Sequence, residues 1–146
     1  MSTQENKALC ARPHEEIFNQ GNLALADEIF SPDFTWHEAH LPPLPQGPES
    51  TKMFATMLRG AFPDLHLSLE DSVAEGDRVV NRWTFQGTHQ GEFYGVAATG
   101  KTVTISGIDI WRVRGGKIVE NQQVVDNLGL LRQLGAVPQP ELAQSH

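Results

Sequence analysis

The dominant apolar period of this chain changes at Pro63-Asp64. Before that point apolar residues recur at spacings of three and four, the signature of helices packed by one face. After it Leu65, Leu67 and Leu69 alternate with His66, Ser68 and Glu70, which is the period of a strand with one buried face. Helices followed by a run of strands specify an α+β domain rather than alternating βαβ units.

The helical half begins with TQENKALCARPHEEIFNQGN from Thr3, where Ala8, Leu9, Ile17 and Phe18 can share a face and Gly21 is the stop. Pro13 removes a backbone donor inside this segment and predicts a kink or a break. A second short helix is expected from an Asn22 cap through LALADEIF, followed by a turn at Ser31-Pro32-Asp33 and a short strand at Phe34–His37. The stretch EAHLPPLPQG reads as loop. Pro48 suits a first helical position, and Met53, Phe54, Met57, Leu58 and Phe62 outline the stripe of an amphipathic helix.

The strand half is punctuated by hairpin signals at Glu75-Gly76-Asp77 and Gly115-Gly116. Strands are expected before the first signal, from Arg78 to Thr88, from Thr102 to Val113 and from Lys117 to Val125. His89–Thr99 is a glycine-punctuated connection. Asp126 is placed to cap a terminal helix, LGLLRQLG, that ends at Gly135. About four meandering antiparallel strands thus follow the helices, and a strongly curved sheet of this kind can wrap around them and close off a cavity. At 146 residues the chain is read as a single domain spanning 1–146, with an ordered core over about 6–135 and a tail over 138–146.

Composition removes several function classes. The formal net charge is −7, which argues against nucleic acid as a partner. Cys10 is the sole cysteine, so no intrachain disulfide and no cysteine-based metal cluster can form, as expected in a reducing cytoplasm. No apolar run reaches membrane-spanning length, and MSTQENKAL lacks the features of a signal peptide. Motifs of the GxGxxG, GxxxxGK[ST] and GxSxG kinds are absent. Chemistry, if present, falls to side chains lining one cavity, and no cofactor or metal is expected.

Four segments carry candidate side chains. Trp36-His37-Glu38-Ala39-His40 gathers two His and one Glu, but the two His are three apart on a segment entering a proline-rich loop. A helix-borne metal site prefers a spacing of four. Polar loop residues are the simpler reading, and a place at a pocket mouth is the one adopted for Trp36 and His37. In the strand TISGIDIW, Gly107, Asp109 and Trp111 share one face and Ile108 and Ile110 the other. An Asp between two Ile is costly unless it is exposed on an edge, paired, or facing a wet cavity.

In ENQQVVD, Asn121, Gln123 and Val125 share a face, and amides there can orient a substrate carbonyl without exchanging protons. Asn81, Trp83, Phe85, Gly87 and His89 form a further in-register face, either as core or as a platform for a flat ligand.

The segments GDRVVNRWTFQGTHQGEFYGVAATGKTVTISGIDIWRV and GGKIVENQQVVDNLGLLRQLG resemble the SnoaL-like polyketide cyclase, or ester cyclase, family. FNQGNLALADEIFSPDF and GPESTKMFATMLRGAFPDL agree with it in the first half. The resemblance implies a nuclear-transport-factor-2-like cone: a curved antiparallel sheet packed on N-terminal helices around a deep pocket, commonly dimeric through the outer sheet face. It also implies a small cofactor-independent enzyme of secondary metabolism that takes an apolar or aromatic substrate. Aligned on GGKI and LLRQLG, the family's pocket His falls on Asp109, its Asp on Gln123 and a further His on Asn121.

The expected reaction is a cyclisation, isomerisation or other enolate-forming step on a polycyclic or aromatic ketone. Asp109 is then the base, His37 an assisting acid, and Gln123 and Asn121 hydrogen-bond the enolate oxygen. Trp36, Trp83 and Trp111 stack on the substrate, with His89 and Val125 beside it. A cofactor-free oxygenase of the same fold and a non-catalytic binding module are the alternatives.

Overall fold

The computed structural model describes residues 2–38 and 43–138. Residues 139–146 of the expected tail over 138–146, and the pair Ala39-His40, lie outside the described residues.

Helix α1 spans Thr3–Arg12 and starts at Ser2, whose hydroxyl accepts from the Glu5 amide while Glu5 reaches back to the Ser2 amide. This reciprocal pair satisfies two of the otherwise orphaned amides of the first turn. Its buried positions are Asn6 and Cys10, so Ala8 stays outside the core. At Pro13 the helix neither breaks nor simply bends. Residues Pro13–Phe18 form a π-turn, in which the Asn19 amide bonds to the His14 carbonyl five residues back. A missing amide at Pro13 is accommodated by widening the next turn.

Helix α2 is shorter than the sequence suggests, Leu25–Ile29, and has no side-chain cap, so Asn22 does not serve as one. Strand β1 runs Phe30–His37 and includes Ser31-Pro32-Asp33, which are not a turn. β1 lies at the sheet edge, parallel to β5, and its register jumps between Phe30 and Thr35. Pro32 falls inside this irregularity, where no ladder hydrogen bond is asked of it.

Helix α3, Pro48–Ala61, buries Thr51, Phe54, Ala55, Leu58 and Ala61. Met53 and Met57 stay exposed, because the buried stripe runs one residue along from them.

Strands β2 (His66–Glu75), β3 (Arg78–Thr88), β4 (Thr102–Arg114) and β5 (Lys117–Val125) form the expected antiparallel meander. The full sheet has five strands in the order β1-β5-β4-β3-β2, curved and unclosed. Asp126 accepts from the Gly129 amide at 2.9 Å and caps helix α4, Asn127–Gln133.

Along β3 and β4 buried residues alternate with exposed or half-buried ones, and the buried set forms the inner face. Gly107 stands opposite Trp83, and a Cβ there would lie 2.3 Å from the indole Cζ2. Glycine at this point lets the Trp83 ring cross β4.

Candidate functional site

Three in-register rows cross the concave face. Asn81, Asp109 and Gln123 form one, from β3 through β4 to β5. Val79, Trp111, Asn121 and Trp36 form the next, and Trp83, Gly107 and Val125 the one beyond Asp109 on the other side. Side chains in such rows stand close enough to touch. β4 lies between β3 and β5, so Asp109 is not on an edge, and its exposure is 0%. The reading of Asp109 as a solvent-facing residue therefore fails. Gln123 Nε2 donates to Asp109 Oδ1 at 2.8 Å.

His14 descends on this row from the π-turn. Its Nε2 lies 2.9 Å from Asp109 Oδ2, and the imidazole is 3% exposed. The two atoms are close but not aligned as a hydrogen bond, and His14 Nδ1 has no partner. The ring packs edge-on over Trp111, centroids 5.9 Å apart, and lies 6.3 Å from Trp83. His14 was not singled out from sequence. The signal present was Pro13, whose missing amide widens the turn that delivers the next residue to the sheet.

Below this pair, Asn81 Nδ2 donates to the Cys10 carbonyl at 3.1 Å. Burial, and secondarily the nearby Asp109 charge, push the Cys10 thiol up to about 12 from its ordinary 9.0. A raised folded value leaves stability unaffected while both states are protonated. Stability is lost once the unfolded thiol ionises, that is, as pH climbs from 9.0 toward about 12. We expect Cys10 to resist iodoacetamide at about pH 8 in the folded chain and to react once urea unfolds it. Rapid labelling of the folded protein would contradict this burial.

A cavity of about 570 Å³, open mouth included, lies between the sheet and the helices. Phe18, Phe54, Leu58, Phe62, Phe85 and Ile105 make its walls apolar, and His14, Gln123, Glu38, Asn127 and Tyr94 add polar groups. Apolar walls with a few convergent polar groups are the lining of a small-molecule site. Of the residues expected from sequence, Trp36, Trp83, Gln123 and Val125 line it. Asp109, Trp111 and Asn121 are fully buried in the sheet face behind it. Trp111 is packed between Trp36 and Phe30 at 6.0 and 6.3 Å and is not a surface for stacking.

His37 does not reach the cavity. Its side chain is 54% exposed, with Nε2 3.5 Å from Glu120 and 3.1 Å from the Thr35 hydroxyl. Strand alternation turns His37 outward because Trp36 faces inward. His89 is buried but apart from the cavity. Its Nδ1 accepts from the Thr99 amide at 3.2 Å and its ring lies on Phe62, where it pins the loop after β3. Among the described residues no group of three His, Cys, Asp or Glu is placed to hold a metal ion, and no helix is long and apolar enough to cross a membrane.

The chain aligns with aklanonic acid methyl ester cyclase DauD of Streptomyces sp. (strain C5) at 35% identity over 135 residues, 86% of this chain and 80% of that protein. Its fold superposes on TsrD of Streptomyces laurentii with a TM-score of 0.85 at 28% identity, covering 94% of this chain and 99% of that one. AclR of Streptomyces galilaeus, whose assignment as a hydroxylase is provisional, superposes with a TM-score of 0.82 at 33% identity, covering 99% and 90%. The family model for SnoaL-like polyketide cyclase matches residues 8–134. A curved sheet on N-terminal helices, an aromatic cavity and a match over almost the whole chain place this protein in the SnoaL-like polyketide cyclase family.

Proposed function

We propose that the protein is a cofactor-independent enzyme that forms an enolate from a polycyclic or aromatic ketone and closes a ring with it. The observation that carries this reading is the buried His14–Asp109 pair, 2.9 Å apart, at the wall of an otherwise apolar cavity. With its proton on Nε2, facing Asp109, the imidazole offers Nδ1 as a base. Nδ1 takes the proton next to the substrate carbonyl, and Asp109 stabilises the imidazolium that results. The enolate carbon then adds to a second carbonyl, and the alkoxide so formed takes the proton back. Apo geometry in which the pair is close but unaligned is common before substrate tightens the site.

Asp109 therefore acts through His14 rather than on the substrate. Gln123 uses its amide nitrogen on Asp109 and orients it. The indole N–H groups of Trp36 and Trp83 have no partner, and both residues line the cavity. They are the donors placed for an enolate oxygen. Asn121, behind the wall, has no direct part in this reading, and neither do His37 and His89.

Aklanonic acid methyl ester, the compound in the relative's name, is the first substrate to test. Incubation with and without oxygen, followed by mass spectrometry, separates three outcomes. A ring-closed isomer formed without oxygen supports the proposal. A product heavier by one oxygen atom, formed only in air, favours the oxygenase reading to which the AclR likeness points. Recovery of bound but unchanged ester favours a binding module.

The active form is proposed to be a cytoplasmic single-domain homodimer. Ile108, Ile110 and Val124 are 44%, 42% and 75% exposed on the convex sheet face, an apolar patch suited to a second copy. Light scattering on Ile110→Glu is expected to give half the wild-type mass. An unchanged mass would remove this face from the interface.

A further inference from the structure

The cavity holds a second polar cluster, where β1 ends beside Gln123 of β5, and its chemistry is one-sided. Glu38 follows β1, and Asn127 opens α4; Asn127 Nδ2 lies 3.4 Å from Glu38 Oε1. That contact commits the nitrogen of Asn127 and leaves its Oδ1 without a partner, together with Glu38 Oε2. Gln123 is oriented in the same way. Its nitrogen goes to Asp109, and its Oε1 is unpartnered. A carboxylate can only accept, so both amide orientations follow from the hydrogen bonds rather than from choice.

Three cavity-lining residues thus each keep one acceptor oxygen that is closed off from water and bonded to nothing. No ion pair to Glu38 occurs among the described residues. Unmet buried acceptors destabilise a protein and call for an occupant that donates. The terminal torsions of Glu and Gln are soft, so these oxygens can turn to a ligand at small cost. Tyr94 lines the same cavity, and burial, with the Glu38 charge as a second cause, pushes its phenol up to about 12. Its hydroxyl therefore stays protonated at neutral pH and adds no further anion.

We infer that Glu38, positioned by Asn127, is a specificity-determining residue that accepts a hydrogen bond from a hydroxyl on the ring system of the substrate. This rests on the reading of the cavity as a site for a flat aromatic ketone. It orients the ligand: the hydroxyl-bearing edge faces Glu38 and the reacting carbonyl faces His14 and the indole N–H groups. Glu38, Trp36 and Gln123 also line an outer crevice together with Ile108, Ile110 and Val124 of the proposed dimer face.

The test compares 2-hydroxyanthraquinone, 2-methoxyanthraquinone and 2-(aminomethyl)anthraquinone by quenching of tryptophan fluorescence. The wild type is expected to bind the hydroxy compound about 10-fold or more tightly than its methyl ether. In Glu38→Gln, the side-chain oxygen stays with Asn127 and a nitrogen turns to the cavity, so this preference should vanish or reverse. Affinity for the ether should stay near wild type, which a mere loss of structure would not allow. Asn127→Ala should reduce the preference in the same direction.

A preference that survives Glu38→Gln overturns the inference. So does tighter wild-type binding of the aminomethyl compound, which would make the site one for ammonium groups. Equal wild-type binding of the hydroxy compound and its ether overturns this inference alone and leaves the aromatic-ketone reading in place. Binding of none of the three overturns both.

Discussion

Replacing His14 by Asn is expected to lower turnover by about 10²–10⁴-fold while leaving ligand affinity close to wild type. Among the described residues the imidazole is the one basic group that both lines the cavity and contacts a buried carboxylate, 2.9 Å away. Asn keeps the polarity of the position but cannot accept and return a proton near neutral pH. The direct measurement is exchange of the proton next to the carbonyl for deuterium in heavy water. It reports enolate formation even if ring closure fails.

Asp109→Asn should also slow exchange, because an amide no longer stabilises the imidazolium. Its near-ultraviolet dichroism should stay that of the wild type, since the isosteric amide keeps the packing of the row. Full activity in His14→Asn would return the base to another residue. Full activity in Asp109→Asn would show that the pair is structural.

Truncating Trp111 to Ala should destabilise the fold by about 3–5 kcal/mol, read as a lower urea midpoint. Trp111 is completely buried on β4, a strand paired on both sides. Phe30 and Trp36 pack on it, and His14 stands edge-on over it at 5.9 Å. The void would open under the His14–Asp109 pair, so activity should fall with stability if that pair does the chemistry proposed. Trp111→Phe removes less volume and should recover part of both. A variant with unchanged stability would mean that the site collapses freely around the gap. The same packing explains why Trp111 is not a stacking surface. A residue that joins β1, β4 and the π-turn has no face left for a ligand.

Much of the fold was legible because periodicity is local. The switch at Pro63-Asp64, the glycine hairpins and the alternation along β4 each depend on residues a few positions apart. The family resemblance added the curved sheet and the cavity. The errors have local causes as well. Ser31-Pro32-Asp33 has the composition of a turn, and only pairing with β5, far away in sequence, makes it an irregular edge strand. Met53 and Met57 look like core, yet the neighbouring stripe is the one that meets the sheet.

The site divides along the same line. Strand alternation in the sequence groups Gly107, Asp109 and Trp111 on one face and Ile108 and Ile110 on the other; the pairing of β4 between β3 and β5 turns the first group inward. The absence of a nucleotide-binding motif and of a cysteine cluster is likewise read directly from the chain. Which inward residues reach the cavity and which lie behind it depends on packing between distant parts of the chain. His14 and Asp109 are 95 positions apart in the chain (109 − 14) and 2.9 Å apart in space. No periodicity encodes that meeting. It arises because Pro13 widens a turn and α1 crosses the sheet at the row that carries Asp109.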